Sequence, residues 1–286
     1  MLISKNSSLR LSGLIDEQKE TFCSGLFLSA RWFVLSNIGN NGIHIVILPD
    51  QESAEYCSSD LYNLVEGDRV FYMPASGKSI ERSNYKSSLG VQRTSAVGKI
   101  LAFNNSEPLF IITYPEALEE KIPDFESLSS SIFTIRKGEE ISYEEIKNSL
   151  FNSGFEKTDF VSSPGQFAIR GSIIDIFSYS FNDPYRISFF GDEVESIHIF
   201  DCNTQLSKSE VDSFDIISSV ISEGGERDIT DIFPDCSIIW LDSSDMYSER
   251  EFFNKLDKFT KVFIDSPLSR KDTPDVRFNI SPQPSF

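Results

Sequence analysis

A lysine and a hydroxyl residue close behind glycines can cradle a phosphate, and this 286-residue chain offers two such places. One is SGLIDEQKETF, with Gly13, Lys19 and Thr21. The other is ASGKS, residues 75–79. A phosphate loop needs GxxxxGK[ST] directly after a strand, so that small residues expose backbone N–H groups and the hydroxyl reaches a magnesium ion. In the first segment no second glycine precedes Lys19, and Thr21 is not adjacent to it. The second has its GKS without the upstream glycine. Neither is expected to bind a nucleotide. Asp50 and Asp242 follow apolar runs, where a magnesium-binding acid would sit. Without a phosphate loop they read as helix N-caps or turn residues. The two histidines, His44 and His198, and four widely spaced cysteines, Cys23, Cys57, Cys202 and Cys236, form no zinc pattern. The cysteines read as free buried thiols in a reducing compartment. His198 reads as a strand residue, and Asp192, Glu193 and Glu195 as a hairpin tip. No catalytic residue, cofactor site or metal site is expected.

A different chemistry is suggested between residues 155 and 207. In FAIR, the period-two rule puts Phe167 and Ile169 on one face of a strand, and Gln166, Ala168 and Arg170 on the other. In PYRISFF, Tyr185, Ile187 and Phe189 share one face, and Arg186, Ser188 and Phe190 the opposite one. The first sets make a core. The second sets put an aromatic beside arginines, the composition of a protein-interface hot spot. The same residues also fit a plainer arrangement, with Phe190 under a helix and the arginines solvating the sheet. IIDIF leaves the choice open, because Ile173, Ile174, Ile176 and Phe177 give it two apolar faces, and a bulge would shift the phase.

The elements that must position these residues fall into three stretches. Residues 1–118 read as an α/β unit. IHIVILPD, DRVFYMP and PLFIITYPEAL are strand-like, QESAEYCSSDLYNL is a helix, and residues 11–36 should hold the first helix. Near-continuous apolar strands alternating with helices imply a parallel sheet. Residues 119–209 read as a small α+β domain. A strand followed by a turn over 132–142 leads to a helix over 143–155 with Gly154 at its C-cap, then to short antiparallel strands with a Gly191-Asp192 hairpin turn. Residues 210–286 return to α/β, with strands CSIIWLD and KVFIDS around the helix SEREFFNKLDKF. The first and third stretches are small for separate cores, which favours one parallel-sheet domain interrupted by the α+β domain.

The formal charge of −18, from 44 acidic and 26 basic residues, argues against a chain that grips duplex DNA over its whole surface. It suits a soluble protein whose partners are proteins. Most of the 25 phenylalanines are expected in cores. No signal peptide and no apolar run of membrane-spanning length is read, so a cytoplasmic location is expected. The terminal VRFNISPQPSF looks like a strand running into a linker, as in a fragment of something larger.

The segment GFEKTDFVSSPGQFAIRGSIIDIFSYS, continued by DPYRISFFGDEVESIHIFDCNTQLS, closely resembles the central part of the N-terminal module of the bacterial transcription-repair coupling factors. The excision-nuclease B subunit has a related module. Ser172 stands where the family often has a second glycine. The resemblance extends, more weakly, over most of the chain. It implies a degenerate motor-like, P-loop-NTPase-like α/β domain without its ATPase motifs, interrupted by a smaller domain. It implies that the smaller domain docks the excision-nuclease A subunit (UvrA) through Arg170, Arg186 and Phe190. It further implies RNA polymerase, duplex DNA, ATP and Mg2+ as ligands of regions outside this chain, and a masking contact between the docking face and a C-terminal domain. The alternative is a fragment of an excision-nuclease B-like subunit that contacts DNA. That subunit keeps a Walker A sequence, so the degenerate Gly13–Thr21 stretch favours the coupling factor.

Overall fold

The computed structural model describes residues 5–26, 29–66, 69–76, 83–104, 107–123, 132–179, 183–217, 227–242, 249–264 and 274–278. The GKS of residues 77–79, most of the acidic 222–228 loop and the terminus after Phe278 lie outside them. The chain divides into two compact units. One comprises Met1–Ala75, Ala102–Glu120 and Asp228–Phe286, and the other Ser76–Leu101 and Lys121–Arg227.

In the first unit seven strands form one parallel sheet. They are β1 (Glu20–Ser24), β2 (Ile43–Ile47), β3 (Val70–Tyr72), β4 (Leu109–Thr113), β13 (Ile238–Leu241), β14 (Thr260–Ile264) and β15 (Val276–Arg277), in the order β15-β1-β14-β13-β2-β4-β3. Every residue of IHIVI, LFIIT and IIWL is buried, as a parallel sheet covered on both faces requires. Helix α3 (Gln51–Leu64) begins at Asp50, whose Oδ1 accepts the Ser53 N–H at 2.8 Å. It buries Ala54, Cys57 and Leu61.

Residues 11–36 hold more than the one helix expected. Helix α1 (Lys5–Glu17) leads into β1, and α2 (Ala30–Ser36) follows it. Gly13 therefore lies in a helix, and Thr21 is buried in a strand. That is helix into strand, the reverse of the strand–loop–helix order of a phosphate site.

The second unit carries a six-stranded sheet, order β11-β10-β9-β8-β7-β6. Its strands are β6 (Glu156–Lys157), β7 (Gln166–Arg170), β8 (Ile173–Phe177), β9 (Tyr185–Phe190), β10 (Glu193–Phe200) and β11 (Ser207–Val211). All neighbours are antiparallel except β6 and β7. Helix α6 (Tyr143–Asn152) packs Ile146 and Leu150 into a core with Phe167, Ile174, Ile176, Ile187, Phe189 and Ile197. A two-stranded sheet pairs β5 (Ile132–Arg136) with β12 (Ser213–Ile217). The unit thus runs past residue 209, because β12 takes its backbone partners from β5. It also includes α4 (Ser83–Leu101), a helix the sequence reading did not identify, whose Val91 packs against the same core.

Of the four free cysteines, Cys23 and Cys57 are buried, Cys202 is half-buried and Cys236 is exposed, so the expectation of four buried thiols holds for two. Burial pushes the Cys57 thiol well above its ordinary pKa. Among the described residues no helix is long and apolar enough to cross a membrane. Among them, too, no group of three His, Cys, Asp or Glu side chains is arranged to hold a metal ion.

Candidate functional site

Two hairpins of the same build set out the face that carries the arginines. The β7–β8 turn is Gly171-Ser172 and the β9–β10 turn is Gly191-Asp192, with φ of +60° and +65° at the glycines. Positive φ at the first central residue alone marks a type II′ turn, which needs glycine there and accepts an L-residue next. Ser172 and Asp192 are those next residues, so the serine is accommodated without strain. Strand burial then alternates. Tyr185, Ile187 and Phe189 are buried, Arg186 and Ser188 half-buried, and Phe190 is 77% exposed.

The register places Asp175 of β8 opposite both Ala168 of β7 and Arg186 of β9. Asp175 is only 1% exposed and receives two guanidinium groups. Arg186 donates Nε–H to Oδ1 at 2.7 Å and Nη2–H to Oδ2 at 2.9 Å, a bidentate fork. Arg170 donates Nη2–H to Oδ2. Arg186 reaches further: its Nη1 and Nη2 donate to the carbonyl and the side-chain oxygen of Gln205 at 3.3 and 3.1 Å. Its Cζ lies 4.2 Å from the Phe200 ring centroid. The hydrogen bond to Asp175, with the charge of that carboxylate, holds the Arg186 pKa above the usual guanidinium value against the effect of burial. Among the described residues Gln205 is the non-glycine residue with positive φ, +60°, and its Nε2–H donates to the Cys202 carbonyl at 2.8 Å. A non-glycine residue held in that region marks a locally determined turn.

The structure therefore brings Arg170 and Arg186 together on one buried carboxylate. Phe190 stands on the same face, two residues beyond Ser188. The two faces of IIDIF are also resolved. Ile174 and Ile176 enter the main core, while Phe177 joins a smaller cluster with Val161, Ala168 and Phe200. Asp175 was missed as a site residue, although its place between arginines follows once both hairpin registers are known. Phe160, 60% exposed, and Leu206, 69% exposed, were also missed. His198 lies opposite Arg186 and Glu210 as a half-buried strand residue.

In the parallel unit the candidate acids have other duties. Asp50 is the N-cap described above. Asp242, just after β13, is ion-paired with Arg31 of α2, and both side chains are about four-fifths buried. The Arg31 guanidinium also lies 4.7 Å from the Trp32 ring centroid. His44 is fully buried. It accepts the Trp240 indole N–H at Nδ1, 3.0 Å away, and its Nε2–H donates to the Asn40 carbonyl at 3.0 Å. Because indole nitrogen can only donate, the tautomer is fixed. Burial pushes the His44 pKa down to about 4, leaving a neutral structural imidazole.

Residues 133–220 match the UvrB interaction domain family. Over 209 residues the chain is 31% identical to the transcription-repair-coupling factor of Bacillus subtilis (strain 168), covering 72% of this chain and 18% of that protein. Over 220 residues it is 27% identical to the transcription-repair-coupling factor of Staphylococcus aureus (strain USA300), covering 76% of this chain and 19% of that protein. The chain thus spans about a fifth of the length of the curated relatives it matches. The site residues Arg170, Arg186 and Phe190 lie inside the matched UvrB interaction domain, and over about three quarters of its length the chain is similar to a part of the transcription-repair-coupling factors.

Proposed function

We propose that this chain is a non-enzymatic recruitment module, in which the antiparallel unit docks the excision-nuclease A subunit through Arg170, Arg186 and Phe190. The observation that carries this reading is Phe190, a large aromatic left 77% exposed on the arginine face of a domain matching the UvrB interaction family. An aromatic fixed on a rigid strand loses little entropy on burial against a partner, and such residues dominate interface energetics. Two guanidiniums on one carboxylate leave the cluster one positive charge in a chain of net charge −18. A local cation of this kind steers and orients an acidic partner surface.

The wider role proposed is that of the longer relatives' assembly: displacement of RNA polymerase stalled at DNA lesions and recruitment of excision repair, in the cytoplasm. In that scheme ATP, Mg2+, polymerase and duplex DNA belong to other regions, and a C-terminal domain masks the docking face. The parallel-sheet unit serves as a motor-like frame without nucleotide chemistry. The Arg31–Asp242 pair, at the carboxyl ends of strands where α/β sheets bind ligands, supports that assignment.

The test is calorimetric titration of this chain against the excision-nuclease A subunit. Wild type should bind, and Phe190→Ala should cost about 2 kcal/mol of affinity while leaving stability within about 0.5 kcal/mol. A folded wild-type chain that does not bind would remove the docking role.

A further inference from the structure

The two arginines on Asp175 are not equivalent. Four N–H groups of Arg186 are already directed, two to the Asp175 carboxylate and two to Gln205, and its plane rests on Phe200. A guanidinium has five such groups. Its side chain is 19% exposed. Arg170, by contrast, directs a single side-chain hydrogen bond among the described residues, to Asp175, and is 36% exposed. The rest of its fork faces outward. Its Cζ lies 5.0 Å from the ring centroid of Phe160.

Phe160 is held out rather than left loose. It sits in the connection from β6 to β7, where the next residue, Val161, is buried with Ala168, Phe177 and Phe200. Val161 is seated in that cluster, while Phe160, in the bend just before it, stays 60% exposed. The connection is pinned on both sides. Thr158 Oγ1–H donates to the Phe160 carbonyl at 3.1 Å, and the N–H groups of Ser162 and Ser163 donate to Gln166 Oε1 at 3.0 and 3.2 Å. A pinned, exposed aromatic under a half-free guanidinium is a pre-ordered contact pair, with the apolar part and the cation side by side.

We propose that Phe160 and Arg170 form a second contact point of the docking face, receiving a carboxylate beside an apolar side chain of the partner, while Arg186 is a positioning residue that holds Asp175 and the Gln205 turn. This rests on the docking reading above and divides its labour. The excess cation of the cluster is then the outward part of Arg170, which meets an acidic group of the excision-nuclease A subunit. The Arg186 side chain works through its neighbours.

The experiment is titration of the chain and its variants against the excision-nuclease A subunit at low and moderate salt, with thermal melting of each variant. Phe160→Ala and Arg170→Gln should each weaken binding about tenfold or more, with melting temperatures within about 2 °C of wild type. Arg170→Gln should also flatten the loss of affinity with salt. Arg186→Lys keeps the charge and breaks the fork. It should melt earlier and keep the wild-type salt dependence. Phe160→Ala or Arg170→Gln binding like wild type, while Phe190→Ala fails to bind, would leave the docking face standing and overturn this pair. Arg186→Lys that melts like wild type but does not bind would make Arg186 the contacting cation, again overturning the division. Absence of binding by wild type would overturn the docking reading and this one with it.

Discussion

In the parallel-sheet unit, Arg31 is ion-paired with Asp242, and both side chains are mostly buried at the strand ends. In the antiparallel sheet, Asp175 meets two arginines, and the face around it keeps Phe160 and Phe190 in solvent. An ion pair whose two side chains are about four-fifths buried presents little charge to solvent. A carboxylate shared by two cations leaves one positive charge, fixed in direction by the strands that carry it. The same residue types can therefore close one region of a molecule and open another, and what differs is how far the cations are exposed and the apolar surface beside them.

The strongest way to break this comparison is to remove the shared carboxylate. Asp175→Ala should strand two cations on a largely buried site and cost about 3 kcal/mol of stability, read by chemical denaturation. A loss under about 0.5 kcal/mol would mean the arginines are independent surface charges. A second experiment addresses the parallel unit alone, because both tryptophans of the chain, Trp32 and Trp240, belong to it. The His44 pKa is depressed by burial from the ordinary 6.5 to about 4. The unfolded chain therefore binds the proton first as pH falls. The stabilising effect of the neutral, hydrogen-bonded imidazole is fully present above pH 6.5 and is lost progressively from there down to pH 4. Denaturation followed by tryptophan emission should show a loss of up to about 3 kcal/mol across that window. A flat response would place the histidine in a wetter environment than its neighbours indicate. The smallest effect concerns local structure: Asp50→Ala should remove the N-cap of α3 and cost about 1 kcal/mol in the tryptophan-reported transition, without changing partner affinity.

Much of this arrangement was readable in the residues. Continuous apolar runs identified β2, β4, β13 and β14, because strands buried on both faces need no alternation. Alternation in QFAIR and YRISFF identified the two faces of the antiparallel sheet, and the Gly191-Asp192 pair identified one of its two hairpins. The unread elements have physical reasons. ETFCS, which forms β1, lies inside a stretch whose apolar residues also suit a helix. SFDII, which forms β12, finds its partner β5 about eighty residues earlier, a pairing with no local signature. In α4 the run of small and polar residues gives no strong apolar stripe. The three arginine-face residues followed from strand phase and family resemblance together. Asp175 needed two registers at once, and Phe160 sits in a connection, where period-two counting does not apply.

The pairing of β5 with β12 has a consequence for how such a chain can change. Ile122 and Arg227 bond to each other in both directions, at 3.0 and 3.2 Å, just inside the points where the chain leaves and rejoins the parallel-sheet unit. The outgoing and returning passages of chain are thus bonded to each other at Ile122 and Arg227. To the host sheet, the whole 121–227 excursion counts as a short closed loop, and the entropy of closing a loop grows only with the logarithm of its length. Loops within 121–227 that do not carry the core on which Val91 of α4 packs can be extended or trimmed with little cost to the host. The excursion is built as a cartridge, and new binding specificities could arise there by replacement rather than by reworking the frame.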